Sequence, residues 1–278
     1  VTRLAATTVS AFLALAACSI GDGRPAQTSV TDNIVNSMMK PAEADQPILT
    51  VSDVCYWLCS PKQWPPSFAL YHGGKVILTQ RLSHDDAVDF TMQEFDIDRE
   101  GVEGLAVLMD QAGLFLGGEH QVGRILGEDG GGLLFEATLD DIHTYIHAPW
   151  FGDQNSQVNL ITLVNQLKSL TGGGGGRRLD VRWWVYGSRG DSSAPQIRWP
   201  LAEQMSGDVD CLAIDPVEVE DVFELLKQTP FYASLSVGFT SGDVYATSLL
   251  PLLPHELSCH DALNRLERFD AADQTLGL

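Results

Sequence analysis

Where this chain folds, and with what chemistry around it, is decided by residues 1–18. Arg3 is followed by a run of apolar, alanine and hydroxyl residues from Leu4 to Ala17, and the run ends in Leu15-Ala16-Ala17-Cys18. A charged start, a short apolar stretch and small residues before a cut are the layout of a secretory leader. The stretch is shorter than the roughly 20 apolar residues that a bilayer span needs. Cys18 is the only nucleophile at the cut, and the layout points to export. Everything downstream is then expected to fold outside the cytoplasm, tethered at one end.

The tetrapeptide Leu15-Ala16-Ala17-Cys18 resembles the lipobox of bacterial lipoproteins. That resemblance implies cleavage before Cys18, a diacylglyceryl group on its sulfur, and residence on the outer face of the cytoplasmic membrane. Two acyl chains hold a protein stably where one does not. The competing readings are an ordinary leader in which Cys18 is incidental, or a buried helix. A core helix is not expected to run into Cys-Ser-Ile-Gly-Asp-Gly-Arg-Pro. The expected organisation is a signal peptide over 1–17 and a disordered tether over 18–46, rich in Gly, Ser, Thr, Pro, Ala and Asp. An N-terminal α+β lobe over 47–150 and a C-terminal α+β lobe over 157–270 follow, or one continuous domain in their place.

The 278-residue chain has 37 Asp and Glu against 17 Lys and Arg, a formal net charge of −20, and losing Arg3 with the leader makes it one unit more negative. Such a charge argues against nucleic acid or an anionic membrane face as a direct partner. The acids are scattered among hydrophobic segments, which reads first as solubility. Four cysteines remain once Cys18 is acylated: Cys55, Cys59, Cys211 and Cys259. An even number in an oxidising compartment suggests two disulfides with three possible pairings, of which sequence distance favours Cys55–Cys59 and Cys211–Cys259. No nearby histidine completes either pair as a zinc site, and the three-residue spacing of the first is wrong for a redox pair. No metal or cofactor is expected.

Along the chain, Ile48–Val54 reads as a strand and residues 61–66 as a proline-broken loop carrying Trp64. Ser67–Tyr71 and Lys75–Thr79 form a hairpin about His72-Gly73-Gly74. Phe90–Ile97 reads as a strand, and Asp98 caps a helix whose apolar residues recur from Val102 to Ala112 until Gly113 stops it. Leu133–Ala137 and Asp141–His147 are strands. His143 and His147 share one face at a spacing of four, and are read as solvent-facing strand residues rather than a metal pair. Gln157–Leu170 is a helix running into the glycines 172–176, which lack the features of a phosphate loop. Leu179–Tyr186 reads as one strong strand with Trp184 and Tyr186 on its second face. Asp210–Ile214 is a strand, Asp215 starts a helix to about Gln228, Gly242–Leu250 is a strand, and Asp261–Phe269 a short closing helix.

Arg198-Trp199-Pro200-Leu201, the cysteine strand 210–214, Thr229-Pro230-Phe231, and Leu250–Glu256 with Cys259 resemble landmarks of uncharacterised lipoproteins and secreted proteins of actinobacteria. So do Ser67–Ile77 and Gly101–Leu114, and the likeness extends over most of residues 48–260. It implies an exported envelope protein without a transferable activity, and its paired cysteines match Cys211 and Cys259. In such proteins tryptophan often stands at Phe231, arginine at Leu250, and an aspartate at His72 or Gly73. Those departures count against a catalytic role for these positions.

The expected fold is α+β, with antiparallel and mixed sheets packed against a few helices; the helices are too few for a doubly wound sheet. The expected function is binding of an envelope ligand or protein without catalysis. The expected surface carries Trp64, Trp150, Trp184, Tyr186, His255 and Glu256, with His260 beside the last two. A cell-envelope hydrolase needs a nucleophile with its base or a carboxylate pair, and the chain shows no Gly-x-Ser-x-Gly elbow. A purely structural or assembly role is the third class.

Overall fold

The computed structural model describes residues 30–41, 46–54, 65–81, 90–122, 132–149, 157–172, 175–189, 197–198, 209–215, 221, 235–238, 244–265 and 267. It is a mixed α+β fold. The elements are α1 (Val30–Met38), β1 (Pro47–Val54), β2 (Phe68–Tyr71), β3 (Lys75–Arg81), β4 (Phe90–Asp96), α2 (Arg99–Gln111) and β5 (Gly118–Gln121). They continue with β6 (Gly132–Leu139), β7 (Ile142–Pro149), α3 (Val158–Thr171), β8 (Arg177–Leu179), β9 (Arg182–Arg189) and β10 (Ile197–Arg198). β11 (Val209–Ile214), β12 (Leu235–Gly238), β13 (Val244–Leu252) and a closing helix α4 over residues 259–265 complete it.

Eight strands form the first sheet in the order β5-β7-β6-β1-β2-β3-β4-β8, antiparallel except for the parallel pair β5–β7. Strand alternation gives this sheet two unlike faces. Leu49, Val51, Phe68, Leu70, Val76, Leu78, Phe135, Ala137 and Ile146 point to one core, which α1, α2 and α3 cover with Val35, Met38, Leu105, Met109, Leu163 and Leu167. The opposite face carries Ala69, Tyr71, Ile77 and Met92, packed against Leu253 from the far end of the chain.

Local chemistry explains the best-defined helix. The Asp98 carboxylate accepts from the Gly101 N–H at 2.9 Å, satisfying one orphan donor of α2. At the other end Gly113 takes φ +80°, its N–H bonds Asp110 O, and Leu114 N–H bonds Met109 O. That pair of bonds is the glycine stop the sequence suggested, and it delivers Leu114 fully buried into the core. In the β2–β3 hairpin, Gly73 and Gly74 both take positive φ. A Cβ on Gly74 would collide with the carbonyl oxygen of Ile97, whose N–H bonds Gly74 O at 2.8 Å. The turn therefore locks onto the entry of α2.

Three expectations need correction. Residues 30–38, placed in a disordered tether, are helix α1, with Val35 and Met38 2% and 1% exposed. The polar composition around them hid a helical stripe, Ile34-Val35-Met38-Met39, that has a core to enter. Leu179–Tyr186 is two strands and not one: Leu179 pairs with Met92 in the first sheet, while β9 begins at Arg182 in the second. His147, read as solvent-facing, is 1% exposed. α3 lies with the first core, so the chain passes from one sheet to the other at residues 180–181.

The second sheet has the order β10-β12-β13-β9-β11. β9, next to the edge, pairs antiparallel with both β13 and β11. Cys211 and Cys259 are joined by a disulfide with Cα atoms 6.1 Å apart, tying β11 to α4. Around it, Leu250, Leu252, Cys259 and Ala262 form a core against which Trp184 and Tyr186 pack.

Candidate functional site

Three polar clusters stand out among the described residues. The first joins α1 to the sheet. The Ser37 hydroxyl lies 2.8 and 2.9 Å from the two carboxylate oxygens of Asp140, in the β6–β7 turn, and Lys40 Nζ donates to Ser37 Oγ at 3.3 Å and to Asp140 at 3.4 Å. His72 Nδ1 donates to Ser37 O at 3.0 Å, which fixes that ring nitrogen as the protonated one. Asp140 sits at φ +52°, the one non-glycine residue with positive φ in the described backbone. The Ser37 hydroxyl, against some burial, holds the Asp140 carboxyl below the usual range, with help from Lys40 and the charge of His72.

Serine three residues before lysine is a spacing that can place an ammonium beside a nucleophile. The chemistry here runs the other way. A nucleophilic hydroxyl needs a base able to take its proton and donors for a developing oxyanion. Ser37 faces a carboxylate held in its ionised form, and it lies in the last turn of α1, whose dipole disfavours an anionic oxygen. The arrangement bridges two elements.

The second cluster lies on the face of the first sheet away from the helices. β6 and β7 pair with Thr138 opposite His143 and Glu136 opposite Tyr145. Thr138 Oγ1 and His143 Nδ1 are 2.6 Å apart, Tyr145 OH donates to Glu136 at 3.3 Å, and His143 Nε2 is 3.8 Å from the same carboxylate oxygen. The His143 and Tyr145 rings meet edge to face at 4.6 Å. One strand step further, His147 is enclosed beside Gly132, and burial alone lowers its pKa from 6.5 to about 4. His143 and His147 thus differ: one is an exposed partner of Glu136, the other a neutral core ring at pH 7.

The third cluster ties the two sheets together. Tyr71 OH and His255 Nδ1 are 2.9 Å apart. The Arg182 guanidinium donates to the carbonyls of Leu253, Pro254 and Glu256. Glu256, 2% exposed, accepts from Leu253 N–H at 2.8 Å and from Arg265 Nε at 2.7 Å; Arg265 is 3% exposed and also reaches Pro251 O. At the start of α4 the Asp261 carboxylate accepts from the backbone of Leu257 and from Ser258, which hold it below the ordinary carboxylate range.

These positions redistribute the residues singled out from sequence. Cys211 and Cys259 are joined. Trp184 and Tyr186 pack on the second core and are partly buried. His255 bonds Tyr71, while His260 is exposed on α4. Glu256 is no surface residue: its side chain is 2% exposed and pairs with Arg265, the arrangement a buried charge requires. Cys18, Cys55, Cys59, Trp64 and Trp150 lie outside the described residues, as does most of the helix expected from Asp215. Sequence reasoning missed the Ser37–Lys40–Asp140 bridge and Arg265. A cation on an otherwise apolar helical stripe (Ala262, Leu263, Arg265) was the available signal for the second. Among the described residues no group of three or more His, Cys, Asp or Glu side chains is placed to hold a metal ion, and no helix is long and apolar enough to cross a membrane.

No family model, no curated protein and no solved structure matches the chain.

Proposed function

We propose that this protein is a lipid-anchored extracytoplasmic protein, held on the outer face of the cytoplasmic membrane through acylated Cys18. There it binds an envelope ligand or protein partner without transforming it. The observation that carries the reading is Leu15-Ala16-Ala17-Cys18 closing a short apolar run behind Arg3. The Cys211–Cys259 bond supports it, because such bonds persist in oxidising compartments. The resemblance to actinobacterial lipoproteins and secreted proteins belongs to the same reading. Binding is favoured over catalysis because the polar groups that converge are committed to one another: Ser37 to Asp140, Tyr145 to Glu136, and Arg265 to Glu256.

Paired denaturing and native intact masses, on protein extracted in mild detergent from an actinobacterial host, test it. The expected chain starts at Cys18, carries acyl mass, and is four hydrogens lighter than the reduced form. A mature protein with an unmodified Cys18 thiol refutes the anchor. A discrete extra mass under native conditions identifies a carried ligand; its absence directs the search to a protein partner.

A further inference from the structure

We infer that the open edge of β5 is a docking site for an extended segment of a partner protein, one whose side chains alternate basic and apolar. The inference rests on the binding reading proposed above, to which it adds a place and a partner chemistry, and it does not depend on the anchor at Cys18. β5 ends the first sheet: among the described residues no strand pairs with it on the side away from β7. Gly118, Glu119 and Gln121 are exposed, so that side is open to solvent. Val122 N–H donates to His147 O at 2.9 Å, and the parallel register sets Gly118 beside Thr144 and His120 beside Ile146. Bonding residues recur at every second position in a parallel pair. Gly118, His120 and Val122 therefore turn their backbone groups to β7. Glu119 and Gln121 turn theirs outward, with no backbone partner among the described residues. A row of unpaired N–H and C=O groups is a template for another strand.

The side chains say what kind of strand fits. On the face away from the helices Glu119 lies beside Tyr145, with Glu136 one strand further. Asp141 is exposed in the turn before β7, where Lys40 pairs with Asp140. The whole chain carries a net charge of −20. A lysine or arginine on this face of an incoming strand is drawn by Glu119 at close range and by the acidic surface at long range. β5 and β7 are parallel, and at the end where both begin Leu116 is 76% exposed and Ile142 40%. Ile142 continues the helix-side row of Thr144 and Ile146, so apolar side chains suit the other face of the incoming strand. A second copy of this chain fits less well, because it brings another Glu119 to the same edge and sets two strongly acidic molecules together.

Hydrogen exchange and fluorescence anisotropy test this on the full-length protein in an uncharged detergent. The probe is a fluorophore-bearing peptide of alternating lysine and valine. Its binding is expected to slow exchange of the Glu119 and Gln121 amides by about tenfold or more. Gln121→Pro removes an outward N–H at an edge position, where proline is tolerated, and is expected to weaken the peptide by about three- to tenfold. Should that variant not fold, a peptide methylated at every backbone amide cannot donate to the edge, and is expected not to bind the unaltered protein. Glu119→Lys is expected to weaken binding and flatten its salt dependence. No binding of the peptide, binding undiminished by Gln121→Pro or by methylation, or slowed exchange elsewhere in place of 119 and 121 overturns the site. Self-association that Gln121→Pro abolishes makes a second copy the occupant and overturns the basic partner. A ligand carried in the native mass beside a silent β5 edge refutes this site and leaves the binding reading standing.

Discussion

Replacing Arg265 by methionine should be among the most damaging single changes in the second sheet, and the structure says how damaging. The guanidinium gives Glu256 two contacts, at 2.7 and 3.3 Å, and Pro251 O a third at 3.2 Å. Both side chains are almost fully buried, Arg265 at 3% exposure and Glu256 at 2%. Charge-assisted hydrogen bonds contribute about 1.5–3 kcal/mol each, but the greater cost is the carboxylate left behind without its cation. Breaking a buried pair from one side costs about 3–5 kcal/mol, so Arg265→Met should lower stability by that amount. Glu256→Gln keeps the acceptor for Leu253 N–H and strands the guanidinium instead, at a cost of about 2–4 kcal/mol. The double variant should be far better than the sum, because it removes both charges together, with a coupling of about 2–3 kcal/mol. Urea denaturation of the four proteins, followed by tryptophan fluorescence with Trp183 and Trp184 on β9 as reporters, measures the cycle. Additive losses, or an Arg265→Met stability within about 1 kcal/mol of wild type, would refute the claim that the pair is buried and mutually dependent.

Met38→Ala should cost about 2–4 kcal/mol, measured by thermal unfolding; a free tether would be indifferent to it. At Gly132 an added Cβ would meet Ala148 O at 2.6 Å, His147 Nε2 at 2.7 Å and Pro149 Cα at 2.9 Å, so Gly132→Ala should destabilise by about 1–3 kcal/mol, readable as a lowered urea midpoint. Removing the disulfide as Cys211→Ala with Cys259→Ala should cost up to about 4 kcal/mol for cysteines 48 residues apart, and wild type in reductant should lose at least as much. His147 titrates near 4 in the fold and near 6.5 once exposed. The unfolded chain therefore takes up a proton first as pH falls. The stability carried by the neutral ring is complete above about 6.5, declines between 6.5 and 4, and is gone below, a loss on the order of 3 kcal/mol. His147→Gln should flatten that window in denaturation curves taken across it.

What the sequence showed well was local. Asp98, the apolar stripe of α2 and Gly113 are a complete start, body and stop within one element, and each residue does in the fold what its chemistry allows. The β2–β3 hairpin was equally plain, since two glycines at positive φ leave little choice of turn. Alternation at Leu179–Tyr186 was correctly seen as strand, yet it could not show that hydrogen-bond partners change at residues 180–181. A period of two reports which face is buried and carries no information about which sheet supplies the neighbour. The helix α1 was masked for a related reason. Its apolar side chains are few, and their value depends on a core built from residues far along the chain.

The polar clusters follow the same logic more severely. Ser37 meets Asp140 across 103 positions, and Tyr71 meets His255 across 184. No spacing rule reaches that far, because such pairs exist only after the sheet has set the strand ends side by side. Glu256 and Arg265 are only nine residues apart and still escaped notice. Each alone looks like a surface charge near a turn, and only burial on both sides turns them into a pair. The expected leader is different in kind: Arg3, the apolar run and Cys18 are contiguous, so the pattern is readable before any fold exists.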